Sequence, residues 1–154
     1  MLLDGINHVA LMTTDTNRLV EFYREVFDAT VFAQMQEEPG MTLTFITIGP
    51  VTQLNVFELE GNEQPHTPMF GRGPIDHLGL QASSKEAFDT IRARLMERGA
   101  SDGFVSDFGP AHSVFFRDPD GLECEVLLEI PGVGPDGVKG PGNPAPGYDQ
   151  PTPS

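Results

Sequence analysis

Four polar side chains interrupt stretches whose alternation otherwise asks for apolar residues: His8, His77, Glu58 and Glu125. A carboxylate on an apolar strand face is costly unless it is paired or bound to a metal. Imidazole and carboxylate together suit a divalent ion such as Ni, Co, Zn, Mn or Fe. The two histidines are 69 residues apart, and the His-to-Glu offsets, 50 and 48 residues, nearly match. Glu58 and Glu125 are therefore read as equivalent positions on the last strands of two copies of one unit. A pseudo-two-fold between the copies would bring all four side chains to one divalent metal ion. As a Lewis acid, that ion would stabilise an enediolate or enolate while a carboxylate moves the α-proton. Glu125 is the first choice for the catalytic base and Glu58 the second.

The elements that must position these groups form a repeat. Ile6-Asn7-His8-Val9-Ala10-Leu11 recurs as Ile75-Asp76-His77-Leu78-Gly79-Leu80, and Leu19, Phe22 and Val26 map onto Phe88, Ile91 and Leu95. Both triplets step by three and four residues, as one face of a helix does. Asp15 caps the first helix; Ser83-Ser84-Lys85-Glu86 opens the second as a capping box and Gly99 stops it. Strands are expected at 30–36, 41–48 and 53–60, and again at 103–107, 113–117 and 122–130. Turn residues such as Glu38-Pro39-Gly40 and Asp118-Pro119-Asp120-Gly121 separate them. The fold class is α+β: two tandem βαβββ modules, about 5–60 and 75–130, joined by a polar, Gly- and Pro-bearing loop and forming one folded part over 1–130. Thirteen of the 24 residues from Pro131 to Ser154 are Pro or Gly. Such a segment is expected to be a tail, mobile or draped over the body, that adds little to its stability.

Composition narrows the classes. The 154 residues carry 23 Asp plus Glu against 9 Lys plus Arg, a net charge of −14. That balance repels phosphate backbones and anionic lipid, so neither nucleic acid nor membrane is expected as partner. One cysteine, Cys124, forms no intrachain disulfide framework. With neither a signal-peptide pattern nor an apolar run long enough to span a bilayer, a cytoplasmic protein acting on a small-molecule substrate is expected.

The doubled βαβββ unit, the His on each first strand, and Phe116-Arg117-Asp118-Pro119-Asp120-Gly121 followed by Glu125 resemble the vicinal oxygen chelate superfamily of glyoxalases, bleomycin-resistance proteins and extradiol dioxygenases. The resemblance covers about residues 5–129. It implies an open, cup-shaped sheet around one divalent metal, and a homodimer, since many members pair. The metal site looks most like that of glyoxalase I, whose four ligands match His8, Glu58, His77 and Glu125; Asn62 also falls where that enzyme has an Asn. The implied activity is a glyoxalase-like isomerase, epimerase or lyase. Met12 stands where glyoxalase I has the Arg that holds glutathione, so a glutathione adduct is not the expected substrate.

Two other classes compete. A non-haem Fe(II) extradiol dioxygenase would use His8, His77 and Glu125, and Glu58 counts against it by filling a position that substrate or O₂ needs. A metal-free, bleomycin-resistance-like binding protein would leave the same groups as costly buried charges. His112 reads as a pocket residue or a surface turn residue, His66 as exposed in the linker, and Glu123 as either supporting Glu125 from the same face or reaching solvent beside the turn. Cys124 is placed opposite Glu125 as a packed thiol. Tyr23 and Arg24 read as ordinary helix-surface or interface residues.

Overall fold

The computed structural model describes residues 5–59, 73–140 and 142–151, with Leu2, Gly61, Thr67 and Gly71. His66 and Asn62 lie outside the described residues. The chain divides into two units, Met1–His66 and Thr67–Ser154. Both have the expected βαβββ order, so the fold is α+β with two tandem modules, each an open four-stranded sheet carrying one helix.

Unit 1 runs β1 (His8–Thr13), α1 (Thr16–Phe27), β2 (Thr30–Glu38), β3 (Met41–Thr47) and β4 (Gln53–Leu59). Its sheet order is β1-β4-β3-β2. β1 is parallel to β4, and the other pairs are antiparallel. Unit 2 repeats this with β5 (Leu78–Gln81), α2 (Lys85–Glu97), β6 (Val105–Asp107), β7 (Ala111–Arg117) and β8 (Glu123–Glu129), in the order β5-β8-β7-β6. The helix between first and second strands lets β1 and β5 run parallel to the last strand of their own unit.

Caps fix both helices. The Asp15 carboxylate accepts the Arg18 N–H at 3.0 Å, and Ser84 Oγ accepts the Ala87 N–H at 3.1 Å. α1 ends on Asp28, a left-handed residue with φ 56°, and α2 is closed by Gly99 at φ 67°. Leu19, Phe22 and Val26 are buried as the periodicity predicts. Tyr23 departs from expectation: it is fully buried, edge-on to Phe22 and stacked on Phe27. In unit 2, Phe88 and Leu95 meet a sheet face of Val105, Val114, Phe116, Cys124 and Val126, all buried. Among the described residues no helix is long and apolar enough to cross a membrane.

Of the two readings of the C-terminal segment, mobile or draped over the body, the structure has the second: the segment is built onto the edge of unit 2. Ser106 of β6 forms an antiparallel bridge with Pro144. Around it, the Asp107 N–H donates to the Asn143 carbonyl at 2.8 Å and the Ala145 N–H to the Val105 carbonyl at 2.9 Å. Proline suits the bridge because an edge partner need not donate at every position. Gln150 receives the Val105 N–H on its Oε1 and donates from Nε2 to the Val105 carbonyl. Tyr148 lies edge-on to Phe88, with Lys85 and Arg92 over its ring. The segment thus covers backbone groups that an edge strand would otherwise leave open.

Candidate functional site

Side chains alternate faces along a strand, so register decides which groups meet. In unit 2, Gly79 pairs with Glu125, and Glu125 in turn with Phe115. His77, two residues before Gly79, therefore shares the face of Glu125, opposite the helix-packed face of Cys124 and Val126. The contact is direct: His77 Nε2 lies 3.3 Å from Glu125 Oε1. Gly79 lies beside the pair: a Cβ there would press on Leu127 Cδ1 at 3.1 Å and touch Glu125 Oε1 at 3.6 Å.

Each group is held by a partner of its own. Asp76 Oδ2 accepts from His77 Nδ1 at 2.9 Å, which holds the ring by its Nδ1 edge and turns Nε2 toward Glu125. Ser113 Oγ donates to Glu125 Oε2 at 2.6 Å, leaving Oε1 for another partner. The Phe115 ring stands edge-on to the imidazole at 5.9 Å. The Asp76 hydrogen bond is the main cause holding the His77 pKa above its ordinary value; partial burial opposes it and the Glu125 charge adds to it. Glu125 is 12% exposed, a nearly enclosed carboxylate.

Unit 1 repeats only part of this. His8 Nδ1 is bonded to Asn7 Oδ1 at 2.8 Å, so in both units the residue before the histidine fixes the ring. The match ends at the carboxylate. His8 pairs with Gln53, Ala10 with Asn55 and Thr13 with Glu58. Glu58 is thus five residues along the sheet from the level of His8, about 16 Å, and on the opposite face, the one that buries Leu54 and Val56. Its Oε2 accepts the Thr16 N–H at 2.7 Å, at the start of α1, where a carboxylate complements the helix dipole. The expected equivalence of Glu58 and Glu125 therefore fails: Asn55 holds the place of Glu125, and Glu58 corresponds to Leu128. On this register Glu58 caps the start of α1 and stands away from His8 on the other face.

The other candidates resolve as follows. Cys124 is buried on the face opposite Glu125, as alternation requires. Glu123 does not simply reach solvent: it is 9% exposed and paired with Arg117 Nε at 2.9 Å, on the Glu125 face. His112 pairs with Leu128, so it lies on the helix side, edge-on to Tyr148 at 5.9 Å. Burial pushes its pKa below the usual value. Among the described residues no three His, Cys, Asp or Glu gather within metal-binding range, so unit 2 by itself offers the His77–Glu125 pair. Asp76, Asn7, Ser113 and Asn55 were missed from sequence. The first two could have been found, because a hydrogen-bonding residue precedes each repeated histidine.

The sequence profile of the Glyoxalase/Bleomycin resistance protein/Dioxygenase superfamily matches residues 5–126. A protein of Bacillus subtilis (strain 168), described as a ring-cleaving dioxygenase, MhqA, is 25% identical over 139 residues, 87% of this chain and 43% of its own length. The chain thus spans less than half of that relative. The 2-epi-5-epi-valiolone epimerase of an Actinomyces species is 26% identical over 154 residues, covering 85% of this chain and 82% of the epimerase. Among solved structures, a glyoxylase/bleomycin resistance protein/dioxygenase domain from Frankia sp. EAN1pec superposes with a TM-score of 0.70 at 23% identity, over 84% of this chain and 95% of that one.

Proposed function

We propose a vicinal-oxygen chemistry of the ring-cleaving dioxygenase type for this chain, which belongs to the Glyoxalase/Bleomycin resistance protein/Dioxygenase superfamily. Unit 2 supplies His77 and Glu125 as ligands, and unit 1 carries the equivalent imidazole, His8. The observation that carries the proposal is the place of Glu58. With Glu58 capping α1 on the far face and a neutral Asn55 in the place of Glu125, the donor set is two imidazoles and one carboxylate. That set suits non-haem Fe(II), which supplies open positions for substrate oxygens and O₂ when bound.

The residues of each unit fit such an ion. Asp76 and Asn7 hold the rings on their Nδ1 side, so each Nε2 is the available donor. Ser113 pins one oxygen of Glu125 and leaves the other for the metal. Phe115 supplies an apolar wall beside His77. An enolate-forming epimerase is the second reading, favoured by similarity over 82% of the length of the epimerase relative. Without Glu58, it would require Glu125 to serve as the base.

The two readings consume different reagents. Protein loaded anaerobically with Fe(II) and given a catechol should take up one O₂ per ring opened, and His77→Ala should abolish the uptake. Solvent deuterium incorporated at a carbon next to a carbonyl, with no O₂ consumed, would replace this reading with the epimerase one. Ligand binding that is unchanged by chelator and by His77→Ala would overturn both.

A further inference from the structure

The helix side of unit 1 holds a groove of about 490 Å³ that the proposed reaction does not use. One wall is a stripe of α1, Val20 and Arg24, continued by the cap residue Asp28; Val31 of β2 stands on the other side, over buried Ala29 and Ile46. Ile46 pairs with Leu54, so the groove lies on the face opposite His8 and Asn55. Beside it, β2 shifts register between Val31 and Ala33, which leaves Phe32 as an extra residue outside the ladder. A bulge of this kind re-aims a side chain, and Phe32 is 74% exposed. A large exposed aromatic next to an apolar groove marks an interaction surface. Charge is laid out to match. Residues 29–36 carry no charged side chain in a chain of net charge −14, whereas Arg24 and Asp28 put a cation and an anion on the rim. The Arg24 side chain is 65% exposed, and the Glu25 carboxylate beside it is 3.8 Å away.

We infer that this surface is the contact between two copies of the chain: Phe32 of each copy enters the groove of the other, and Arg24 of each pairs with Asp28 of the other. A two-fold contact joins one patch to its own image, so every group must find its complement within the patch itself. This patch meets that condition, since it holds an aromatic knob with an apolar groove, and a cation with an anion. An anionic small molecule would meet Asp28 in the groove and a cationic one Arg24, so neither matches it as a second copy does. Two chains of net charge −14 repel each other, and the uncharged stretch 29–36 is where they can meet without setting like charges together. The aromatic anchors the contact and the rim charges set its register. The inference goes beyond the proposed reaction and is independent of any metal.

The test is sedimentation velocity of the full chain over a concentration series. Wild type should form a closed dimer with no larger species. Phe32→Ser, a change at an exposed position, should keep the circular dichroism spectrum and weaken the dimer at least about 30-fold. Arg24→Glu and Asp28→Lys should each weaken it at least about tenfold, by setting like charges together across the two-fold. Mixed in equal amounts, these two variants should pair with each other to within about threefold of the wild-type affinity, because each supplies the charge that the other has lost. A wild-type chain that is monomeric at about 0.1 mM would overturn the inference and return the groove to a small ligand. An open series of larger oligomers, or a dimer indifferent to Phe32→Ser, would overturn it as well. A mixture that stays monomeric although both charge variants are folded would overturn the pairing of Arg24 with Asp28. Should Asp28→Lys fail to fold, since Asp28 is left-handed at φ 56°, Phe32→Ser decides alone.

Discussion

The two units share a backbone plan and differ in what they hang on it. At matching register positions, unit 2 has Gly79, Ser113, Arg117, Glu123 and Glu125, where unit 1 has Ala10, Leu43, Thr47, Gln53 and Asn55. The histidine and its Nδ1 partner are kept in both, as is the phenylalanine beside the fifth position, Phe45 or Phe115. Unit 1 is thus neutral at each place where unit 2 is charged. A duplicated scaffold fixes where a side chain can stand; the face turned away from the helix is then free to carry a His–Glu pair in one copy and an amide in the other. The carboxylate that unit 1 carries on its last strand, Glu58, caps the helix on the opposite face.

The sharpest way to break this comparison is to remove the carboxylates one at a time. Glu125→Ala or His77→Ala should lower affinity for Zn(II) or Mn(II) by at least about 100-fold, and Ser113→Ala by about 10- to 100-fold, because it frees the carboxylate to turn. Glu58→Ala should leave metal affinity unchanged and instead destabilise the fold by about 1–2 kcal/mol, the usual cost of losing a helix cap. Isothermal titration and thermal melts on the same four variants decide the matter. A loss of metal in Glu58→Ala comparable to that in Glu125→Ala would restore the equivalence that the register denies.

That equivalence shows where sequence reading reached and where it stopped. The repeat, both helices, the Asp15 cap and the βαβββ succession were legible, because apolar spacing and turn residues are local signals; the capping box from Ser83 to Glu86 was one residue off, since Ser84 caps α2 through Ala87. The offsets of 50 and 48 residues looked alike, yet strand faces obey a period of two. Glu58 has the parity of buried Leu54 and Val56, whereas Glu125 has the parity opposite to buried Cys124 and Val126. The comparison that mattered was each Glu against its own strand's core residues. Asn55 was invisible for the complementary reason: an asparagine in a strand carries no signal until its pairing with Ala10 is known. That the C-terminal segment would pair with β6, rather than simply lie on the body, was not legible, because pairing through main-chain groups leaves no side-chain periodicity in a Pro- and Gly-rich stretch.

The second difference between the units is at the far edge of each sheet. β6 is three residues long and is extended by the C-terminal segment, whereas β2 is nine residues long with register shifts at Val31/Ala33 and Gln36/Glu38. Bulges of that kind blunt an edge without a partner. Ending the chain at Ile130 removes the Asn143, Ala145 and Gln150 hydrogen bonds and the Tyr148 packing. The expected cost is about 3 kcal/mol, with the melting temperature down by roughly 10 °C. Hydrogen exchange should show the lost protection at β6 and β7 and unchanged protection at β3. A truncated chain with an unaltered melting temperature would mean that the segment merely rests on the edge.

The smallest effect tests the helix side, where unit 2 has His112 at the register place of Thr42 in unit 1. The groups around His112 come from three elements besides its own: Asp107 of β6, Lys85 of α2, and Lys139 and Tyr148 of the C-terminal segment. Burial lowers its pKa first, the two lysines lower it further, and Asp107, itself bonded to Lys139, pulls it back up. With a folded-state pKa below the unfolded 6.5, the unfolded chain binds the extra proton first as pH falls. His112 therefore adds stability that is complete above pH 6.5 and is lost as pH drops through the folded value. His77 has the opposite sign: its raised pKa adds stability below 6.5 that fades as pH rises. Comparing wild type with His112→Gln cancels that contribution. The wild type should lose more stability than the variant between pH 7.5 and 5.5, by about 1 kcal/mol or less, read as the difference in melting temperature across the two pH values. Parallel pH profiles in the two proteins would show that the imidazole is solvated enough for its charge to cost nothing, and that the helix side of unit 2 is no less permissive than the threonine-lined side of unit 1.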